Sequence, residues 1–219
     1  MLKKIGKLFI ALTVAALVTG CVAPVKKMDY TAFKQSNPKT ILVLPPVNTS
    51  PDIKATYGML SQMTYPLAEA GYYVLPVALV DETLKQNGMS NANDMHQIAA
   101  DKLQKIFGAD AALYVTVSKY GSVYSVLNSA VIVTANAKLV DLRTGAELWT
   151  GSASASSAEN SNSGGGLIGT LVTAAVNQIV NNLSDKSVSI ANVASQRLLT
   201  AHQPNGLLHG PRSSKYGTD

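Results

Sequence analysis

The sequence predicts an α/β fold, an α+β sandwich in which a mixed sheet of about five strands carries helices packed on it. Three observations lead there. Ile41-Leu-Val-Leu44 is a short, wholly apolar run closed by Pro45-Pro46, the pattern of a buried strand stopped by residues that cannot donate to a ladder. Helical and strand-like periods then alternate as far as Val117, which places helices between strands. Beyond them, 131–140 alternates apolar and polar residues, Asp141-Leu-Arg-Thr-Gly145 turns, and 147–155 returns. Gly145 is the residue a hairpin loop needs where φ is positive.

Each element has a local reason. Residues 22–39 are polar, with Pro24 and Pro38 and no sustained period, and read as a linker. Asp52 caps a helix in which Ile53, Tyr57, Leu60 and Thr64 recur at helical spacing, and Pro66 breaks or restarts it. Tyr72-Tyr-Val-Leu75 is a second strand, ending at Pro76. A short helix over 79–86 stops at Asn87-Gly88. Another over 93–107 has Met95, Ile98, Ala99, Leu103 and Ile106 on one face and Gly108 as its stop. Residues 111–117 form a third strand, and Leu148 and Trp149 are expected to straddle the returning hairpin strand, one toward each face. The glycine-rich stretch 156–166 leads into 167–183, whose wide apolar stripe is backed by Thr170, Thr173, Asn177, Gln178, Asn181 and Asn182. That helix either faces the core or offers its uncharged polar face, with Thr170, Thr173, Asn177 and Asn181, to a partner, a second copy or a membrane. A last helix covers 188–199, and the Gly/Pro-bearing residues 201–219 read as a flexible tail.

The N-terminus carries an address. Lys3, Lys4 and Lys7 precede an apolar run over 8–18, too short for the roughly 20 residues that span a bilayer, and then Thr19-Gly20-Cys21. Val18-Thr19-Gly20-Cys21 resembles the bacterial lipobox. The resemblance implies that residues 1–20 are a signal peptide and that Cys21 carries acyl chains such as palmitate. Val22, rather than Asp, follows the cysteine, which by the same resemblance points to the outer membrane and its periplasmic face. An ordinary cleaved secretory signal is the alternative. Acyl chains contribute about 0.8 kcal/mol per buried methylene, so two or more anchor stably. On this reading the chain divides into a signal peptide (1–20), a lipidated linker (21–39), a periplasmic α/β domain (40–200) and the tail.

Loss of the three leader lysines lowers the formal charge from +5 to +2, which removes an electrostatic case for nucleic acid. Lys26 and Lys27 either touch lipid headgroups or sit on a solvated tether. The chain has one cysteine and so forms no internal disulfide. At 47% hydrophobic and 14% charged it has the composition of a protein stabilised by its core.

Three segments, Ile41-Leu-Val-Leu-Pro-Pro46, Gly108-Ala-Asp-Ala-Ala-Leu-Tyr-Val115 and Ala137-Lys-Leu-Val-Asp-Leu-Arg-Thr-Gly-Ala-Glu-Leu-Trp149, resemble the periplasmic α/β domain of the curli-secretion-channel lipoproteins. The domain type is similar to that of lipoproteins that activate peptidoglycan synthases. The mature chain as a whole resembles a group of bacterial outer-membrane lipoproteins without established chemistry. The resemblance implies envelope partners, including a curli-channel-like lipoprotein, or a homo-oligomer. The interval 118–133 departs from the pore-forming pattern, because its alternation is broken where a spanning strand needs about 9 to 11 alternating residues.

Catalytic patterns are weak. Gly164-Gly-Gly-Leu-Ile-Gly-Thr170 lacks the P-loop lysine and follows a polar tract. His96, His202 and His209 have no metal-like spacing, and His96 reads as an exposed helix residue. Asp81-Glu82 are adjacent on a helix and point apart, and Asp141 serves the turn. The expectation is therefore no enzyme, no cofactor and no metal. The chain reads as an accessory or assembly factor of an envelope export or surface-structure system. The alternatives are an activator of a peptidoglycan synthase or other envelope enzyme, and a small-molecule or glycan-binding module.

Overall fold

The computed structural model describes residues 27–124, 129–159 and 186–219. The elements are α1 (Thr31–Ser36), β1 (Thr40–Val43), β2 (Val47–Asn48), α2 (Ala55–Glu69), β3 (Tyr73–Val74), α3 (Val77–Gln86), α4 (Ala92–His96), α5 (Ala100–Phe107), β4 (Ala111–Tyr124), β5 (Ser129–Asp141), β6 (Glu147–Ser156) and α6 (Lys186–Leu199). They build a mixed, open sheet in the order β3-β1-β4-β5-β6. β1, β2 and β3 lie in its parallel part and β4, β5 and β6 in its antiparallel part. The expected fold class holds.

Six strands replace the expected five because Pro45-Pro46 interrupts a lane rather than ending it. β1 pairs with β4 through Val43 opposite Leu113, the prolines pass without donors, and β2 resumes on the same strand with Val47 opposite Thr116. β4 also runs seven residues beyond Val117, to Tyr124. The alternation looks broken there because the register shifts between Val117 and Lys119, so Ser118 is the extra residue of a bulge. Tyr120 then returns to the buried side.

Apolar packing occupies both faces of the sheet. One core joins Val43, Leu113, Val117, Val133, Ala135 and Leu139 to Met59, Met63 and Leu67 of α2 and to Ile190, Ala194 and Leu198 of α6. The other joins Leu42, Leu44, Ala112 and Tyr114 to Val80 and Leu84 of α3, Met95 of α4 and Leu103 of α5. Strand alternation sends successive β4 residues to opposite cores.

Several expectations about elements need correction. The helix after Asp52 buries Ala55, Met59, Leu60, Met63, Pro66 and Leu67, while Ile53 is 90% exposed and Tyr57 half-exposed. Pro66 lies inside the continuous α2, not at its break. The single helix expected over 93–107 is two, α4 and α5, and Ile106 is exposed. Leu148 and Trp149 both join the α2/α6 core, because a second register shift pairs Leu139 with Trp149 but Val140 with Glu147. Gly151 leaves room for the indole: a Cβ there would lie 2.2 Å from Trp149 Cζ2.

Both chain ends of the domain are also more ordered than read. Residues 28–36, assigned to the linker, contain α1, whose Phe33 is 4% exposed and packs in the core. Residues 201–219, read as a flexible tail, form a strap across the open end of that core with Leu207 buried. The physical reason is long-range backbone pairing, which local composition does not display.

Candidate functional site

The strap begins where α6 ends. His202 and Asn205 both take left-handed backbone conformations, with φ of 67° and 59°, and the His202 amide donates to the Leu207 carbonyl at 3.2 Å to close the turn. Side chains from distant elements then fasten it. Trp149 Nε1 donates to the Asn205 carbonyl at 2.9 Å, Asn205 Oδ1 accepts from the Met28 amide at 2.9 Å, and Tyr30 Oη donates to the Gly206 carbonyl. Further along, Tyr72 Oη donates to the Leu208 carbonyl at 2.7 Å, and the Gly210 and Arg212 amides donate to the carbonyls of Ala70 and Gly71. Gly210 permits this approach, since a Cβ there would stand 2.6 Å from the Gly71 carbonyl oxygen.

The strap brings together His202, His209 and Asp219, with one ligating atom from each within 4.8 Å of the others. Asp219 Oδ1 lies 2.7 Å from His209 Nδ1 and 3.5 Å from His202 Nδ1, while Oδ2 accepts from the His209 amide at 2.6 Å. The side chains of His209 and Asp219 are 8% and 9% exposed, against 73% for His202. Burial pushes the Asp219 carboxyl up, but the His209 amide and ring and His202 outweigh it and hold it below the usual carboxylate range. Cavities of about 250 and 330 Å³ flank the cluster and share Lys34, Leu208 and Asp219 as a wall. Sequence spacing gave no metal ligand set here. Treating 201–219 as a tail hid the signal, a pair of histidines seven positions apart followed by a carboxylate.

The other singled-out residues have local partners. Asp141 is 1% exposed and serves the turn, accepting from the Arg143 and Thr144 amides at 2.8 Å each, from Arg143 Nη2 at 3.1 Å and from Ser36 Oγ. Burial pushes its carboxyl up, yet the donors from Ser36, Arg143 and Thr144 prevail and set it at about 2. His96 is half-buried, not exposed: Nε2 is 3.0 Å from the Pro45 carbonyl, its ring meets Tyr114 edge-on, and burial lowers its pKa. It therefore ties α4 to the proline gap as a neutral imidazole. Asp81 faces Lys85 at 2.7 Å on α3, and Glu82 is exposed beside Gln86, so the two carboxylates do point apart. Cys21, residues 160–166 of the glycine-rich stretch, and the helix read over 167–183 with Thr170, Thr173, Asn177 and Asn181 lie outside the described residues.

A second feature is a sheet face on which, among the described residues, no helix packs. Past Tyr114 and Val140, the side of β4, β5 and β6 opposite the α2/α6 core presents Asn136 opposite Ser152, Lys138 opposite Thr150, and Thr134 opposite Ser154. All but the half-buried Thr134 are exposed. Thr134 Oγ1 and Ser154 Oγ are 2.9 Å apart, and Lys138 Nζ sits 5.3 Å from the Tyr114 ring centre. Among the described residues, no helix is long and apolar enough to cross a membrane.

Comparison with known proteins places the chain. The family profile described as "Putative lipoprotein GNA1162-like" matches residues 28–212. The chain is 48% identical over 206 residues to "Putative lipoprotein NMB1124/NMB1162" of Neisseria meningitidis serogroup B (strain ATCC BAA-335 / MC58), covering 94% of this chain and 95% of that one. The crystal structure of lipoprotein GNA1162 from Neisseria meningitidis is 55% identical, with a TM-score of 0.54 over 66% of this chain and 100% of that chain. A fainter likeness is to the PelC dodecamer from Paraburkholderia phytofirmans, at 13% identity and a TM-score of 0.41 over 74% of this chain and 86% of that chain. The start of the family match at residue 28 coincides with the segment that docks beside the strap. On its sequence and its fold, the chain belongs to the GNA1162-like lipoprotein family.

Proposed function

We propose that this protein is an envelope lipoprotein, held by acyl chains on Cys21 at the periplasmic face of the outer membrane, that acts through protein contacts as an accessory or assembly factor of an export or surface-structure system. The observation that carries the contact reading is the face of β4, β5 and β6 that no described helix covers. Its residues are mostly short hydroxyls, with the Asn136 amide and Lys138 among them. Short polar side chains lose little rotamer freedom when a partner covers them. Each one buried still requires a hydrogen-bond partner, which makes such a surface selective for a matching polar face. The basic, apolar, small-residue leader before Cys21 and the family's lipoprotein name support the anchor.

The test combines both parts. A photo-crosslinking residue at Asn136 or Ser152, introduced in the lipidated chain in living cells, is expected to capture a defined envelope protein. The same residue at Glu82, exposed on α3, is expected not to capture it. Cys21→Ser is expected to release the protein from membranes and abolish that adduct. Equal capture at Glu82, or none at the sheet face, overturns the contact reading; membrane retention of Cys21→Ser overturns the anchor.

A further inference from the structure

The cluster on the strap has the chemistry of a metal site that nothing in the fold requires. Two imidazole nitrogens, from residues seven positions apart, converge on the same carboxylate oxygen, Asp219 Oδ1. Fastening the strap needs only one of them, because His209 meets both Asp219 oxygens by itself. His202 adds a second nitrogen from a left-handed position, with φ of 67°, in the turn that its own amide closes on the Leu207 carbonyl.

The two imidazole-to-carboxylate distances lie near those of a tetrahedral cation, and the two imidazoles, whose ligating atoms are within 4.8 Å, draw together on the ion. Ligand bonds of about 2.0 to 2.2 Å at tetrahedral angles separate donor atoms by roughly 3.3 to 3.5 Å. The His202 Nδ1 to Asp219 Oδ1 separation is already 3.5 Å. His209 Nδ1 to Oδ1, at 2.7 Å, is a hydrogen bond that has to open by about 0.6 Å, with the ring proton moving to Nε2 so that Nδ1 offers its lone pair. That motion is a small rotation of the His209 and Asp219 side chains. His202 and Asp219 also line the cavity of about 330 Å³, which leaves space on that side for a water ligand.

We infer that His202, His209 and Asp219 bind one divalent cation of the zinc class, with a fourth position open to the neighbouring cavity, and that the ion ties the end of the C-terminal strap back to its start and middle, holding the strap in its folded course. Two nitrogens and one carboxylate oxygen favour zinc and its borderline neighbours over magnesium and calcium, which take all-oxygen shells. The ion joins three points of the strap, and the strap holds Trp149 through Asn205. Trp149 is the chain's only tryptophan, so its emission reports on the loop without a label.

The test uses the full chain in detergent, without a histidine tag, stripped of metal and freed of chelator. It is titrated with zinc and cobalt, and with magnesium and calcium as controls, while Trp149 emission, cobalt visible absorption and Tm are recorded. The expected result is one equivalent bound with a Kd of about 10 μM or tighter, a rise in Tm, and no response to magnesium or calcium. His202→Asn retains a residue that tolerates the left-handed backbone while removing the exposed ligand; it is expected to weaken zinc binding at least about tenfold and leave the metal-free Tm unchanged. Because His202 is 73% exposed, loss of folding does not confuse that comparison. No stoichiometric zinc binding at 100 μM (about ten times the expected Kd), binding unchanged in His202→Asn, or an equal response to magnesium overturns the inference.

Discussion

The two faces of the β4, β5 and β6 sheet are made by the same strands and have opposite fates. On one, Val117, Val133, Ala135, Leu139 and Trp149 are sealed beneath α2, α6 and the strap. On the other, among the described residues, helices α3, α4 and α5 cover only the end near Ala112 and Tyr114, and Asn136, Ser152 and their neighbours are exposed. The difference shows that strand alternation assigns side chains to faces but does not decide which face acquires a roof. The covered face accounts for stability. The bare face is free to be specified by something else, which is why the contact reading rests on it.

Substitutions along these strands break or sharpen that contrast. Trp149→Ala is expected to cost about 3 to 5 kcal/mol in a denaturant unfolding series, since the indole is 2% exposed and also donates to Asn205. Two residues along the same strand, Gly151→Ala drives a Cβ into the Trp149 ring and is expected to cost about 1 to 3 kcal/mol. A fall of less than half a kcal/mol in either ("about zero" on the scale of surface changes) removes the claim that this face is the sealed one.

Asp141 ends β5 where the chain turns into β6, and its side chain reaches Ser36 of α1. Its carboxyl titrates at about 2 in the folded protein, below its ordinary 3.8, so its charge stabilises the fold above the unfolded value and that contribution is lost as pH falls from about 4 toward 2. The buried, fully hydrogen-bonded carboxylate is worth up to about 2 kcal/mol at neutral pH. Asp141→Asn is expected to lower stability by that order at neutral pH and to flatten the acid limb of a stability profile. An unaltered acid limb assigns the pH dependence elsewhere.

On the exposed face, Asn136→Ser and Ser152→Thr are expected to leave the unfolding free energy within the span of about ±0.5 kcal/mol typical of exposed sites, while changing the crosslinking pattern. Destabilisation by more than that shows a covered face, and the contrast between the two sides then disappears.

Local chemistry was legible where a residue acts on its neighbours. Gly108 and Gly145 take positive φ where the helix stop and the hairpin turn were read, and Asp141 organises the turn it was assigned to. Reading failed where one extra residue changed the parity of a strand. Ser118 and Leu148 are bulge residues, and each makes a downstream run look misphased although the ladder continues. It failed again at the ends of the chain, where 28–36 and 201–219 look like loops.

The sequence by itself determined the strand and helix periods, the α/β class, the turn glycines and the basic, apolar leader before Cys21, because these follow from spacing among neighbours. Only the tertiary structure decided that Trp149 and Leu148 share a core, that no described helix covers one face of β4, β5 and β6, and that His202, His209 and Asp219 meet. Those outcomes depend on contacts such as Trp149 to Asn205, Tyr30 to Gly206 and Gly210 to Ala70, which join residues far apart in the chain. A pairing of that kind leaves no period in the sequence, since its energy belongs to groups that become neighbours only after the chain has folded.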